Sequence, residues 1–317
     1  GINGGVSPDW KPAELFDRPL FALGEVFLAD STGDMGIDVE RFEAALDLAA
    51  QAGVVTTVHA EDATSFDESV TDRTDPAAWS EYRPPEAEIA AVEQAVAAAS
   101  ERDASLHIAH ASTPEAIDQA TDQGATVEVT PHHLFLSTDD YDELGTFGRM
   151  NPPLRDEQRR QAVADRVADG TVDVIATDHA PHTRAQKETD VWSAPSGVPG
   201  VETALPLLLA EVAAGRLSAT RVRDLTARNP ARIFDLPRKG RIEPGAHADL
   251  VVVDLANARP IRGEDLHGKT DWTPFEGMDG IFPEFTLVRG EVVWESEEPG
   301  AAAGRFGDQA GQNVRGS

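Results

Sequence analysis

Histidines and aspartates recur in this chain at one kind of place. Seven of the nine histidines lie between residues 59 and 182. His59, His110 and the His132-His133 pair each stand at or just past the end of a short β-branched or apolar run, and so does Asp178. Asp30 follows Val26-Phe27-Leu28 in the same way. Imidazole and carboxylate are the donors that hold zinc and similar divalent ions where thiolate is absent, and the chain has no cysteine. That absence also excludes disulfides and cysteine nucleophiles. A lone histidine at a strand end is usually a hydrogen-bonded structural residue. Several of them sharing a rim with two carboxylates point to a metal site.

The elements that must carry these residues alternate. Leu23 to Ala29 is a short apolar run, and Val39 to Ala52 has helical spacing closed by Gly53. Val54 to His59 reads as a strand, Pro85 to Ser100 as an Ala/Glu-rich helix, and Leu106 to His110 as a strand. A helix over Pro114 to Gln123, a strand over Ala125 to Thr130, a helix over Arg155 to Ala168 and a strand over Val172 to Thr177 follow. This βαβα order predicts a parallel sheet or barrel. Five strand ends serving one chemistry favour a (β/α)8 barrel, and no Gly-rich phosphate loop follows a strand. Two helices, Glu202 to Ala214 and Ala219 to Phe234, precede a change of pattern. Gly245 to Asp254 is a turn into a strand, and Phe285 to Trp294 is a hairpin turning on Arg289-Gly290. The expected organisation is a barrel over residues 1–239, a small β subdomain over 240–295 and a disordered tail over 296–317.

Charge narrows the partners. The chain carries 56 Asp and Glu against 27 Lys and Arg, a net charge of −29. That argues against nucleic acid, whose non-specific binding rests on basic residues, and against anionic membrane surfaces. No apolar run is long enough to span a bilayer. Only four of the 27 basic residues are lysines: Lys11, Lys187, Lys239 and Lys269. An acidic, lysine-poor surface predicts a halophilic protein, whose self-repulsion salt relieves. The opening Gly1-Ile2-Asn3-Gly4-Gly5-Val6 shows no signal-peptide pattern, so a cytoplasmic location is expected.

Five segments carry a family resemblance: Val58-His59-Ala60-Glu61-Asp62, His107 to Thr113, Val129-Thr130-Pro131-His132-His133-Leu134, Met150-Asn151-Pro152-Pro153-Leu154-Arg155 and Ala176-Thr177-Asp178-His179-Ala180-Pro181-His182. In order and spacing the chain resembles the cyclic amidohydrolases, and most of all their class I dihydroorotase branch. The likeness continues through Ala194-Pro195-Ser196-Gly197, Asn229-Pro230-Ala231 and Trp272-Thr273-Pro274-Phe275-Glu276-Gly277. The resemblance implies a TIM-type α/β metallohydrolase barrel with a small β-sandwich subdomain and one or two zinc ions. It implies reversible ring opening of dihydroorotate to N-carbamoyl-aspartate, a step of pyrimidine biosynthesis. By resemblance His59 and His110 are metal ligands, and Asp178 is both ligand and general base, taking a proton from the attacking water and passing it to the leaving ring nitrogen. Asn151, His182 and the Ser196-Gly197 pair match substrate-contacting positions. A homo-oligomer is expected, with association with other pyrimidine enzymes open.

The remaining assignments carry alternatives. Relatives that place a lysine as bridging ligand align it with Glu25; those that place an aspartate at the strand end align it with Asp30. Asp30 is taken first and Glu25 as its alternative, while Asp30 with Ser31-Thr32-Gly33 could instead form an Asx turn. Asp178 could be a helix N-cap. His107 is expected to be structural, His132 and His133 to pack behind the site, and Arg155 to start a surface helix, with a second contact to the substrate carboxylate as its alternative. The family's first strand bears His-x-His-x-Arg, which this chain lacks, so its N-terminal strands are expected to be missing. Allantoinase-like or dihydropyrimidinase-like hydrolysis of another cyclic ureide is the sister reading. An inactive dihydroorotase-like scaffold subunit is the reading from a different class.

Overall fold

Glycine and capping residues fix where each helix of the βα repeat begins and ends. The computed structural model describes residues 2–6, 15–28, 36–298, 301, 303–308 and 311–312. They fall into two units, one of Gly1–Gly145 with Asn151–Asp173, the other of Thr146–Met150 with Val174–Gln312.

In the first unit, five strands lie parallel in sequence order: β1 (Ile2–Gly4), β2 (Leu20–Leu28), β3 (Thr56–Ala60), β4 (Leu106–Ile108) and β5 (Thr126–Val129). Each step from β2 onward crosses over through a helix, as parallel pairing requires. Helix α1 (Val39–Ala52) is capped by the Asp38 side chain and closed by Gly53 at φ 64°. Its apolar spacing buries Phe42, Ala45, Leu46 and Ala49, the two large side chains contributing about 1.5–3 kcal/mol each. Helix α2 (Pro85–Ser100) starts on a proline, which loses nothing at a position whose N–H has no helical partner. Helix α3 (Pro114–Asp122) does the same behind the Thr113 cap. Helix α4 (Glu157–Asp169) runs from the Asp156 cap to Gly170 at φ 107°. This is the repeating unit of an α/β barrel, and the sheet carries its side-chain donors at the carboxyl ends of β3 and β4.

The second unit starts with β6 (Val174–Ile175) and holds helix α5 (Ala204–Ala213). The stretch expected as one helix is in three pieces: α6 (Ala219–Arg223), a π-helical turn Asp224–Arg228, and α7 (Asn229–Ile233). Pro230 has no N–H for the helical ladder, and the turn before it closes with Asn229 N–H reaching back to Asp224 O. Strands β7 (Leu250–Val252), β10 (Phe285–Val288), β11 (Glu291–Ser296) and β12 (Gly304–Phe306) form an antiparallel sheet in the order β12-β11-β10-β7, and β8 (Arg259–Pro260) pairs with β9 (Asp279–Gly280). Arg289 and Gly290 turn the β10-β11 hairpin with both φ positive, at 52° and 86°, as a two-residue turn matched to strand twist demands.

Inside the second unit α5 meets a later strand, with Ile281 N–H donating to Pro206 O at 3.0 Å. Within the stretch expected to be a tail, β12 pairs with β11 and sets Phe306 against Trp294 and His267.

Candidate active site

Strand β2 delivers a carboxylate through an irregularity. Its register with β3 shifts between Leu23 and Val26, so Gly24 and Glu25 bulge from the ladder. Gly24 has φ 117°, and a Cβ there would lie 2.3 Å from Thr57 O, so only glycine permits this close approach. The bulge brings Glu25 Oε1 to 2.6 Å from His110 Nε2 and 3.4 Å from His59 Nδ1. Burial opposes the Glu25 charge, but His110 and then His59 outweigh it and hold the carboxyl well below its usual range.

His59, on β3, presents its two nitrogens to different partners. Nδ1 faces His110 Nε2 at 3.0 Å, and Nε2 lies 3.1 Å from Glu61 Oε2. The Glu61 carboxylate beside Nε2 favours the proton on that nitrogen, while Nδ1 faces Glu25 and His110. Glu61 is fully buried and takes Arg83 as its counter-ion through Nε and Nη2. Burial alone would raise the Glu61 pKa; Arg83, with His59, holds it well below the carboxylate range. Arg83 lies 4.5 Å over the Phe66 ring and 5.5 Å over Trp79, which shelters this ion pair from water.

His110 stands past the end of β4 with φ 35°, a region that non-glycine residues occupy at a cost of about 1–3 kcal/mol. The backbone beyond it is gripped: Glu88, from α2, accepts from Ser112 N at 2.9 Å and Thr113 N at 3.0 Å. Arg155 is buried here, donating to Ser112 Oγ at 2.9 Å and Arg83 O at 2.6 Å. Its expected place at the start of a surface helix is therefore corrected; Arg155 cross-links the backbone behind His110 with the arginine behind His59.

Glu25, His59 and His110 each offer one donor atom, and these lie within 4.8 Å of one another. Two imidazoles from strand ends and a carboxylate from a strand bulge form a donor set that fits a divalent metal. Asp30, taken first as bridging ligand, lies outside the described residues.

The other histidines of this unit are held for packing. His107 is bound to Thr126 Oγ1 at 2.8 Å and Glu128 at 3.1 Å. His133 donates Nε2–H to Pro152 O at 3.0 Å and accepts from Thr130 Oγ1 at 2.9 Å. Burial pushes its pKa down to about 3, and pushes His132 well below the usual histidine range. Both imidazoles are neutral. Asn151 Oδ1 accepts from Trp79 Nε1 at 3.2 Å.

The second unit gathers Asp178, His182, Ser196 and Gly197 on two facing stretches. Asp178 has φ 42°, the same strained region as His110. Ala180 N–H donates to Val198 O at 3.1 Å, and His179 Nδ1 accepts from Gly200 N at 3.1 Å. His182 Nε2 donates to Ser196 O at 2.9 Å, directly linking two of the expected substrate residues. Gly197 sits at φ 117°, where a Cβ would come within 2.5 Å of Ala180 Cβ. Its N–H donates to Arg149 O at 3.0 Å and its carbonyl accepts from Lys187 at 3.2 Å. Two backbone groups of the expected Ser196-Gly197 recognition pair are thus engaged through Gly197, and a third through Ser196 O. Lys187 gave no signal in the sequence reading beyond being one of few lysines. Glu61 lies in the Val58-His59-Ala60-Glu61-Asp62 segment, and an acid two residues past a strand-end histidine is its one sequence signal.

An amidohydrolase family model matches residues 33–293. The chain is 63% identical over 305 residues to a dihydroorotase of Halobacterium salinarum, covering 96% of this chain and 72% of that protein. It is 43% identical to a dihydroorotase of Methanosarcina mazei, covering 96% and 71%. Among solved structures it resembles an L-hydantoinase (dihydropyrimidinase) from Arthrobacter aurescens, with TM-score 0.88, 27% identity and coverage of 94% and 70%.

Proposed function

This chain belongs to the amidohydrolase family, and we propose that its Glu25, His59 and His110 hold the divalent ion of a dihydroorotase. The activity is reversible hydrolysis of the ring amide of dihydroorotate to N-carbamoyl-aspartate, on the α/β barrel of that family. The observation that carries the reading is the convergence of the three donors, His59 and His110 from the carboxyl ends of β3 and β4 and Glu25 from the bulge inside β2. We take the ion to be zinc, which accepts nitrogen and oxygen donors without redox chemistry. When bound, it supplies a nucleophilic water near neutral pH and polarises the amide carbonyl.

The chain's own groups do the rest. Glu61 favours the His59 proton on Nε2, with Nδ1 facing Glu25 and His110. Asp178 takes the proton of the attacking water and returns it to the leaving ring nitrogen; in the reverse direction it takes the ureide proton as the ring closes. Its φ of 42° fixes where the carboxylate stands relative to the strand that bears it. His182 presents Nε2–H to Ser196 O, which holds the imidazole beside the loop that reads the ring. Asn151, whose Oδ1 accepts from Trp79 Nε1, is taken as a substrate contact on its family position.

The test is dihydroorotate turnover by the full-length protein in molar salt, with metal content measured on the same sample. The expected result is turnover that a chelator abolishes and zinc restores. Zinc-loaded, folded protein that opens hydantoin or allantoin but leaves dihydroorotate intact moves the substrate to a sister ureide. Folded protein that retains no divalent ion overturns the metal assignment to Glu25, His59 and His110.

A further inference from the structure

Lys187 is fully buried in a chain that has almost replaced lysine by arginine. It closes a short helical turn, Arg184–Lys187, whose N-cap Thr183 follows His182 directly. Its Nζ donates to three backbone carbonyls: Pro195 O at 2.8 Å, Arg149 O at 3.0 Å and Gly197 O at 3.2 Å. These come from two separate stretches of chain, which Gly197 N–H joins again through Arg149 O. The turn is held at both ends: Thr146 Oγ1 donates to Lys187 O at 2.6 Å, and Trp272 Nε1 donates to His182 O, just ahead of the N-cap, at 2.8 Å.

An ammonium offers three donors in a tetrahedral fan, which three converging carbonyls can use fully. A guanidinium spreads its donors in one plane and is bulkier, so arginine cannot repeat this arrangement. Taking an ammonium out of water is costly unless every N–H is matched, and here all three are. The consequence reaches the Ser196-Gly197 segment. With Gly197 O on Lys187, Gly197 N on Arg149 O and Ser196 O on His182, the loop has one arrangement of its peptide planes.

We infer that Lys187 is a positioning residue for substrate recognition: by gathering the carbonyls of Arg149, Pro195 and Gly197 it fixes the peptide planes at Ser196-Gly197 against which the cyclic ureide docks. The inference rests on the reading of Ser196-Gly197 as a substrate-contacting pair and on dihydroorotate as substrate. Lys187 itself touches no reacting atom. Its loss therefore weakens ground-state and transition-state binding together, which shows in KM more than in kcat.

The experiment compares wild type, Lys187→Met and Lys187→Arg in steady-state dihydroorotate hydrolysis, with amide hydrogen exchange over residues 195–198. The expected result is a rise in KM of about tenfold or more for Lys187→Met, with kcat within about threefold. The Gly197 amide should lose protection in the same variant, and Lys187→Arg should fail to rescue either property. An unchanged KM with a fallen kcat, or full rescue by arginine, overturns the inference. If Lys187→Met does not fold, exchange in the wild type decides: amides at 195–198 exchanging as fast as exposed loops overturn the tie, and slow exchange supports it. Wild-type protein that keeps this loop protected yet leaves dihydroorotate untouched refutes the substrate reading and not the tie.

Discussion

In the first unit the candidate donors ride on two strand ends and a strand bulge, and buried charges behind them set their orientation; in the second unit the candidate substrate groups sit on loops, and backbone carbonyls do the tying. His59 is aimed by Glu61, which is paired with Arg83, and the backbone past His110 is held by Glu88 and Arg155. Ser196 and Gly197 are held by one ammonium, one imidazole and a peptide N–H. Both units spend strain at the residue expected to do chemistry, with His110 and Asp178 each at positive φ. The difference teaches that metal donors and substrate groups fail in different ways. Loss of a buried charge partner in the first unit costs fold and metal together. Loss of a tie in the second costs recognition.

Several substitutions would break or sharpen this contrast. Asp178→Asn should retain the fold and lose turnover by about 10²–10⁴-fold; near wild-type kcat would remove Asp178 from the chemistry. His110→Ala should lose bound zinc, read by metal analysis, while leaving exchange at residues 195–198 as in the wild type. Glu61→Ala leaves Arg83 buried without its partner and should cost about 3–5 kcal/mol in urea denaturation, with metal affinity falling about 10–100-fold. The Glu61 carboxyl has a lowered pKa in the folded state, so the stability it contributes is complete above the ordinary glutamate range and is lost as pH falls below it.

Lys187 predicts a pH dependence of the same sign in a different window, above neutrality. Burial, with the Arg149 charge adding to it, pulls its pKa down to about 7. Above that value the unfolded chain binds a proton that the folded chain has released, and the neutral amine keeps only two of its three N–H donors. Its contribution to stability therefore rises with pH from about 7 toward the ordinary lysine range near about 10. Denaturation at both ends of that window should show the slope in wild type and a flatter one in Lys187→Met. The smallest effects belong to exposed pairs such as Arg184–Asp271. Removing one should change stability by about 1 kcal/mol or less, and molar salt should erase the difference.

The βα order and most helix limits were legible because capping residues and glycines announce them. α1 runs from Val39 to Ala52 and stops at Gly53 as its spacing requires, and α2 fills Pro85–Ser100. The parallel strands are legible in place but less so in length: β2 begins at Leu20, ahead of its apolar run, whereas β4 stops at Ile108, where the chain leaves the ladder and turns toward the site. His110 is the clear case, lying two residues beyond the end of β4. Arg155 was misplaced because its sequence neighbours, Asp156 and Glu157, read as an exposed helix start, while its burial comes from contacts some seventy residues away with Arg83. The roles of Glu61, Arg83 and Lys187 are likewise invisible in local spacing, because each is defined by partners remote along the chain.

Gly24 carries no functional group, yet its backbone passes so close to Thr57 that any side chain would collide with the carbonyl oxygen. In a saturation scan read out by metal retention, position 24 should therefore be as intolerant as position 59 or 110. A survey that ranked residues by chemical reactivity would discard this position, although the geometry of Glu25 depends on it as strictly as on the strand itself.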